Sequence, residues 1–372
     1  MSALLAEAVF GEPIRQIFNH DIMGCTADGV VGNRLYSGRA LGATQPGDVI
    51  QLHPDLRPQW PWICDHYLRV GLDHAHDVIW DLSHGALAGH PDHAVSVFFF
   101  GPDEQGARPD PAWFEIVATI NSKNAFMAAA QRLGVPVPET HCFAAAADIG
   151  VADIARVAYP CYLKAAVSVS GVGIYRCADE QALRKAINCF PATTPVQIQQ
   201  EVAADVFLNL QYEVIPAGLR RYAATEQLLE GCVHQGNRYP ARCEPWDVVE
   251  PMAQWLYAKG IRGVFAFDVA VMERDGGAEF LAIECNPRFN GASYPTAVAK
   301  KLGITQWQAR TFCTDHRSLA AVDLGGIEYD AASGRGVILI NWGPILVGKL
   351  LILLAGDELA QHALAEALRE RL

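Results

Sequence analysis

The chain has 372 residues, 51% hydrophobic and 19% charged, with a formal net charge of −12. That length can bury a core larger than one ordinary domain, and the balance excludes a disordered chain. The acidic balance argues against broad binding to nucleic acid or anionic membrane.

The ten cysteines are scattered without a C-x-x-C pair. Neither a zinc ribbon nor a disulfide framework is indicated, and a reducing cytoplasm is the expected setting. The opening residues, Met1 to Glu7, lack a basic segment and reach an acid early, unlike a secretory signal. Residues 1–115 read as an α/β module, with strand signals at 48–52, 77–80 and 94–100 and helical or loop material between them. Such spacing favours a partly parallel sheet. No G-x-G-x-x-G follows these strands, and the glycines between Gly24 and Gly32 match no phosphate loop. His53, His66, His74, His76, His84, His90 and His93 crowd this region. Asp73-His74-Ala-His76-Asp77 invites a metal reading, but nothing fixes a third ligand, so histidines in loops and helix ends are expected.

Asn121 or Ser122 can cap a helix that runs through Phe126, Ala130 and Leu133 on one face and stops at Gly134 and Pro136. Lys164 lies on an apolar strand, where an ammonium group needs an anionic partner. Ser168, Ser170, Gly171 and Gly173 follow it and can turn backbone N–H groups toward phosphates. This is not a Walker loop, because the G-x-x-x-x-G-K-[ST] order is absent. Residues 196–203 form another strand signal with a polar end, Gln200-Glu201. Arg220-Arg221 precede a polar strand and suit anion recognition; residues 234–240 also read as a loop rich in turn residues.

A helix is expected over 246–260. Two apolar runs with period-two character then flank Glu273-Arg-Asp-Gly-Gly277, a hairpin signal. Antiparallel pairing would set Asp268 near Glu284, and two buried carboxylates need cations between them. Asn286 adds a neutral oxygen, which suits Mg²⁺ shared with phosphates, and Arg288 adds a fixed positive fork. A helix over 293–303, a polar linker over 330–336, buried strand then helix over 337–355 and a mixed-charge helix over 358–372 complete the chain. Asn341, Pro344, Gly348 and Lys349 interrupt the 337–355 segment, so a membrane span is not expected. Taken singly, the helix, the Ser/Gly turn and the hairpin also read as ordinary structural elements.

Their order resembles a known superfamily. Asp268 followed by Glu284-x-Asn286-x-Arg288-x-Asn290-Gly291 resembles the metal-binding hairpin of ATP-grasp enzymes, which include biotin carboxylase, D-alanine–D-alanine ligase and amino-acid ligases of peptide antibiotic pathways. The helix at Lys123, the strand and loop at Lys164 and the hinge at Gln200 match other parts of that pattern over about residues 119 to 300. The resemblance implies an α/β fold, α+β toward the C-terminus. It would comprise a Rossmann-like pre-ATP-grasp domain at 1–118, a lid at 119–197 and an antiparallel-sheet domain at 198–372.

It implies that Lys123, Lys164, Ser168, Ser170 and Gly171 meet the ATP phosphates. Gln200, Glu201 and Val202 would meet adenine, and Asp205 or Asn209 the ribose. Asp268, Glu284 and Asn286 would hold Mg²⁺, with Mn²⁺ as a substitute. Arg288 would stabilise an oxyanion, with Lys164 and Asn290 beside it as catalytic groups. The implied reaction activates a carboxylate as an acyl phosphate and transfers it to an amine, releasing ADP and phosphate. Residues 220–240 resemble a narrower group, the amino-acid and peptide ligases of the pheganomycin type, which implies small amino-acid or peptide substrates in specialised metabolism. Aminoacylation of a carrier-protein thiol and a non-catalytic nucleotide-binding role stay open as alternatives. Biotin-dependent carboxylation is not expected, and the family's habit of pairing through the N-terminal domain implies a homodimer.

Overall fold

The computed structural model describes residues 14–26, 31–168, 173–230 and 233–372. Three sheets organise them. The first contains β1 (Gln16–Asn19), β2 (Val49–Gln51), β3 (Asp77–Ile79) and β4 (Ala94–Val97), in the order β3-β2-β1-β4 and all parallel. Its centre, β1, went unanticipated because four residues give too short a periodic signal. Both of its faces are covered, as a parallel sheet requires. Ile17 packs with the helices Pro111–Ile120, Lys123–Leu133 and Trp246–Ala258, whereas Phe18 faces the core beneath the C-terminal strands.

The second sheet is small and antiparallel: β5 (Thr140–Phe143), β6 (Cys161–Ala165), β7 (Ile174–Cys177) and β8 (Val196–Gln200), in the order β5-β8-β6-β7. Leu163, Val196, Ile198 and Leu183 give it a core of its own. The third sheet has eight antiparallel strands: β9 (Val206–Ile215), β10 (Gly218–Glu230), β11 (Val233–Tyr239), β12 (Val264–Arg274), β13 (Gly277–Asn286), β14 (Trp307–Cys313), β15 (Gly336–Asn341) and β16 (Lys349–Ala355). They run β13-β12-β9-β10-β11-β14-β16-β15.

Three readings change. Residues 337–355 fold as a strand hairpin rather than strand then helix. Pro344 lies in the 3-10 turn Gly343–Val347, Gly348 takes φ 80°, and residues 351–355 pair with both β14 and β15. A short apolar run does not distinguish buried helix from buried strand; here pairing decided it. The turn-rich segment near 234–240 is strand β11, held between β10 and β14. Gly236 permits that close pairing at φ 159°, since a Cβ there would lie 1.9 Å from the Ala309 carbonyl oxygen. The basic pair binds internal carboxylates: Arg220 donates to Glu213, and Arg221 to Asp247 and Glu250. Among the described residues no helix is long and apolar enough to cross a membrane.

Candidate active site

The hairpin β12–β13 is closed by Asp275-Gly276 between the paired residues Arg274 and Gly277, a turn sequence suited to a tight antiparallel connection. That register puts Asp268 opposite Glu284 and Ala266 opposite Asn286. On the other side of β12, Asp268 pairs with Asn209 of β9. Asn209, Asp268 and Glu284 therefore form a row across three strands. Asn209 Nδ2 donates to Asp268 Oδ1 at 2.7 Å, and Asn286 Nδ2 donates to Asp268 Oδ2 at 3.2 Å. Asn290 Nδ2 reaches Asn209 Oδ1 at 3.4 Å.

Burial and the neighbouring charge of Glu284 push the Asp268 carboxyl up to about 7, against those two amide hydrogen bonds. Glu284 behaves oppositely. Burial would raise it, but Lys123, and then Lys164 and Arg288, outweigh burial and hold it below the ordinary carboxylate range. Lys123 Nζ lies 2.9 Å from Glu284 Oε2 and also donates to Ser168 Oγ at 3.2 Å. The helix Lys123–Leu133 fixes that lysine. Ser122 caps it by accepting from the Ala125 N–H, and Gly134 ends it in the left-handed region at φ 70°. Asn121, the other candidate cap, instead accepts from Arg288 Nη1 at 2.7 Å. Arg288 is deeply buried, which lowers its pKa, and its guanidinium lies 5.4 Å from the centre of the Phe98 ring.

These groups open onto a cavity of about 540 Å³, in the usual range for small-molecule sites. Asn209, Asp268, Glu284, Asn286, Arg288 and Asn290 line it, together with Lys164 and Gln200 from the small sheet and Val202 just beyond β8. Lys164 Nζ donates to Gln199 Oε1 at 2.6 Å. Lys123 and Ser168 sit in an adjoining niche with Glu284 and Arg288. The sequence candidates thus converge with few exceptions. The Glu201 carboxylate turns away to accept from Arg176 at 2.6 and 2.8 Å and from the Tyr162 hydroxyl, so Gln200 and Val202 remain on the cavity wall. Asp205 does not line the cavity and accepts from the Glu273 N–H. Asn209 is engaged with Asp268 rather than set apart for a sugar. Ser170 and Gly171 lie outside the described residues, as do Met1 to Glu7 and parts of the Gly24–Gly32 and 231–240 segments.

One wall was missed altogether. Tyr36 and Arg39 from the 3-10 helix Asn33–Ala43, Phe98 beyond β4, and Tyr294 of the helix Ser293–Lys301 all line the cavity. The one local signal was a lone arginine among the small residues Ser37, Gly38 and Ala40. Tyr294 is placed by His20, whose Nδ1 lies 2.8 Å from its hydroxyl and whose Nε2 lies 3.1 Å from Ser96 Oγ. His66 serves structure: its Nε2 accepts from the Leu339 N–H, and Glu328 sits against its Nδ1 at 2.5 Å.

Sheet order, hairpin and cleft together define an ATP-grasp fold, and comparison with solved structures agrees. The chain is similar to an N5-carboxyaminoimidazole synthetase from Staphylococcus aureus complexed with ADP, with TM-score 0.59, 12% identity, and 96% of this chain and 98% of that one covered. It is similar to the N5-carboxyaminoimidazole ribonucleotide synthetase of Thermus thermophilus, with TM-score 0.57, 16% identity, and 96% and 98% coverage. A third match is the N5-carboxyaminoimidazole synthase of Aspergillus clavatus in complex with ADP and 5-aminoimidazole ribonucleotide, with TM-score 0.54, 13% identity, and 89% and 99% coverage. No protein-family model matches the chain, and no curated protein matches it.

Proposed function

We propose that the chain is an ADP-forming carboxylate–amine ligase. The observation that carries this reading is the cross-strand pair Asp268 and Glu284, flanked by Asn286, Lys123 and Arg288, at the head of one large cavity. Binding of ADP or ATP by the structural relatives supports a nucleotide site here.

Two carboxylates and an amide oxygen form an oxygen-only donor set, and the raised Asp268 carboxyl marks a pair short of positive charge. That set fits a hard divalent cation, which takes oxygen ligands and shares phosphates. Asp268, Glu284 and Asn286 would hold Mg²⁺ or Mn²⁺. The cation would supply charge neutralisation at a transferring phosphoryl group. Lys123, Lys164, Ser168, Ser170 and Gly171 would orient the triphosphate, and Gln200 and Val202 would face the base. Arg288, held by Asn121, stabilises the oxyanion when an amine attacks the acyl phosphate, and Asn290 orders the Asn209 amide beside it.

The substrates fall in the amino-acid or peptide class, as in the pheganomycin-type ligases. We take residues 1–118, 119–197 and 198–372 as pre-ATP-grasp domain, lid and C-terminal domain of a cytoplasmic enzyme that can pair as a homodimer, with the last residues of β8 completing the lid sheet across the 197/198 boundary. The test is ADP release with ATP and Mg²⁺ across amino acids, alone and in pairs, with mass spectrometry of the products. A product lighter than its two precursors by one water supports the ligase. A thioester on an added carrier protein would favour thiol aminoacylation. ATP binding with no turnover on any amino acid, pair or carrier would overturn the proposal in favour of a non-catalytic role.

A further inference from the structure

The wall of Tyr36, Phe98 and Tyr294 contains a charged group with no part in the proposed reaction. Arg39 is only 8% exposed, yet its Nε and Nη2 have no hydrogen-bond partner. Among the described residues, no carboxylate lies within ion-pair distance of it. Its guanidinium is packed against aromatic rings, 4.3 Å from the centre of Phe98, 4.6 Å from Tyr294 and 5.5 Å from Tyr36. Aromatic contact compensates part of a buried cation's lost hydration but leaves the Nε and Nη2 donors unsatisfied.

Nε–H and Nη2–H form one edge of the guanidinium, and the two bonds point the same way. That edge matches the two oxygens of a planar carboxylate. The cavity supplies the approach, because Arg39 is part of its wall. A second polar atom without a partner lies on the same wall: Oδ1 of Asn341, a residue 6% exposed. The 3-10 helix that carries Arg39 packs on the end of the strand that carries Asn341. A Cβ on Gly38 would lie 2.9 Å from the ring of Trp342, so the backbone beside Arg39 has no room for a larger residue.

We propose that Arg39 is a specificity-determining residue that binds a carboxylate of the small-molecule substrate through its Nε/Nη2 edge, within the sleeve of Tyr36, Phe98 and Tyr294. This deepens the ligase reading and rests on it for the word substrate. A carboxylate is the expected occupant because the two parallel N–H donors match its two oxygens, and a phosphate is the competing outcome of the test.

The test measures equilibrium binding to the full chain, by calorimetry and ligand-observed NMR, in the presence of Mg²⁺ and a non-hydrolysable ATP analogue. The probes are N-acetyl-L-phenylalanine, phenylacetate, the carboxamides of both, and inorganic phosphate. The carboxylates are expected to bind wild type more tightly than their carboxamides. Arg39→Ala should weaken the carboxylates about 30-fold and leave the carboxamides unmoved. Arg39→Lys keeps a cation without the fork and should fall between, which also covers the case in which the alanine variant fails to fold. No carboxylate binding, equal weakening of carboxylate and carboxamide, or a preference that survives Arg39→Ala would each overturn the proposal. Phosphate binding in preference to the carboxylates would overturn it too. Binding of the ATP analogue, read on the same samples, is independent of Arg39. Its absence from wild type would remove the ligase reading while a carboxylate preference still reported on Arg39.

Discussion

Replacing Lys123 by methionine isolates the electrostatics of the site. Lys123 Nζ lies 2.9 Å from Glu284 Oε2, with the lysine side chain 8% and the glutamate 28% exposed. At an effective dielectric of about 20 the gross attraction at that distance is about 6 kcal/mol. Stripping water from a nearly buried ammonium offsets several kcal/mol of it. Methionine fills a similar volume, so the loss is mainly of charge. Leaving Glu284 ionised beside Asp268 without that cation should destabilise the chain by about 3 kcal/mol, in the range for half of a buried pair. Urea unfolding in EDTA at pH 8 reads the loss. A double-mutant cycle with Glu284→Gln should return a coupling of about 2 kcal/mol, because the second change removes the charge that the first exposed. The pH dependence checks the sign. With its folded pKa depressed, Glu284 contributes stability above its unfolded pKa, and that contribution is lost as pH falls through the folded value. In the Lys123 variant this contribution should disappear. A Lys123→Met protein as stable as wild type, or strictly additive changes in the cycle, would refute the reasoning.

Asp268 should show the opposite pH response. Its folded carboxyl is raised to about 7, so its contribution is complete below the unfolded value near 4 and is lost as pH rises toward 7. In EDTA, Asp268→Asn should flatten the stability profile in that window by up to about 1.4 kcal/mol per pH unit, as denaturant titrations at stepped pH would record. Glu284→Gln is expected to abolish ADP formation with the circular-dichroism spectrum intact; wild-type turnover would remove the metal assignment. Arg288→Lys should lower kcat by about 100-fold while binding of the ATP analogue stays constant, since its proposed role begins when charge develops. Gly236→Ala should destabilise the chain by about 3 kcal/mol or more, because a Cβ would collide with the Ala309 carbonyl, a backbone atom that cannot swing away. Thermal unfolding reads that loss.

Several features of the site were legible because they are local. Asp268, Glu284 and Asn286 converge through the two-residue periodicity of a single hairpin, and one tight turn sets its register. Ser122, Lys123 and Gly134 declare their helix through its cap, its face and its stop. Lys164 was visible as a charge on an apolar strand. Less local features were misread. The segment 337–355 is apolar enough for either helix or strand, and only the free edge of β14 settled it. Glu201 looked as available to a ligand as Gln200 until β7 brought Arg176 across to it.

The linear chain by itself determined the hairpin of acids, the two lysines and the order in which they occur, because each depends on spacings of a few residues. Tertiary structure alone decided which polar groups are satisfied internally and which face the cavity. Arg220, Arg221 and Glu201 find partners from other elements, whereas Arg39 is sealed among Tyr36, Phe98 and Tyr294 with its donor edge unmatched. Those rings come from three separate parts of the chain. The physical reason is that a charge's worth depends on its surroundings, and long-range packing, which no local spacing encodes, builds those surroundings.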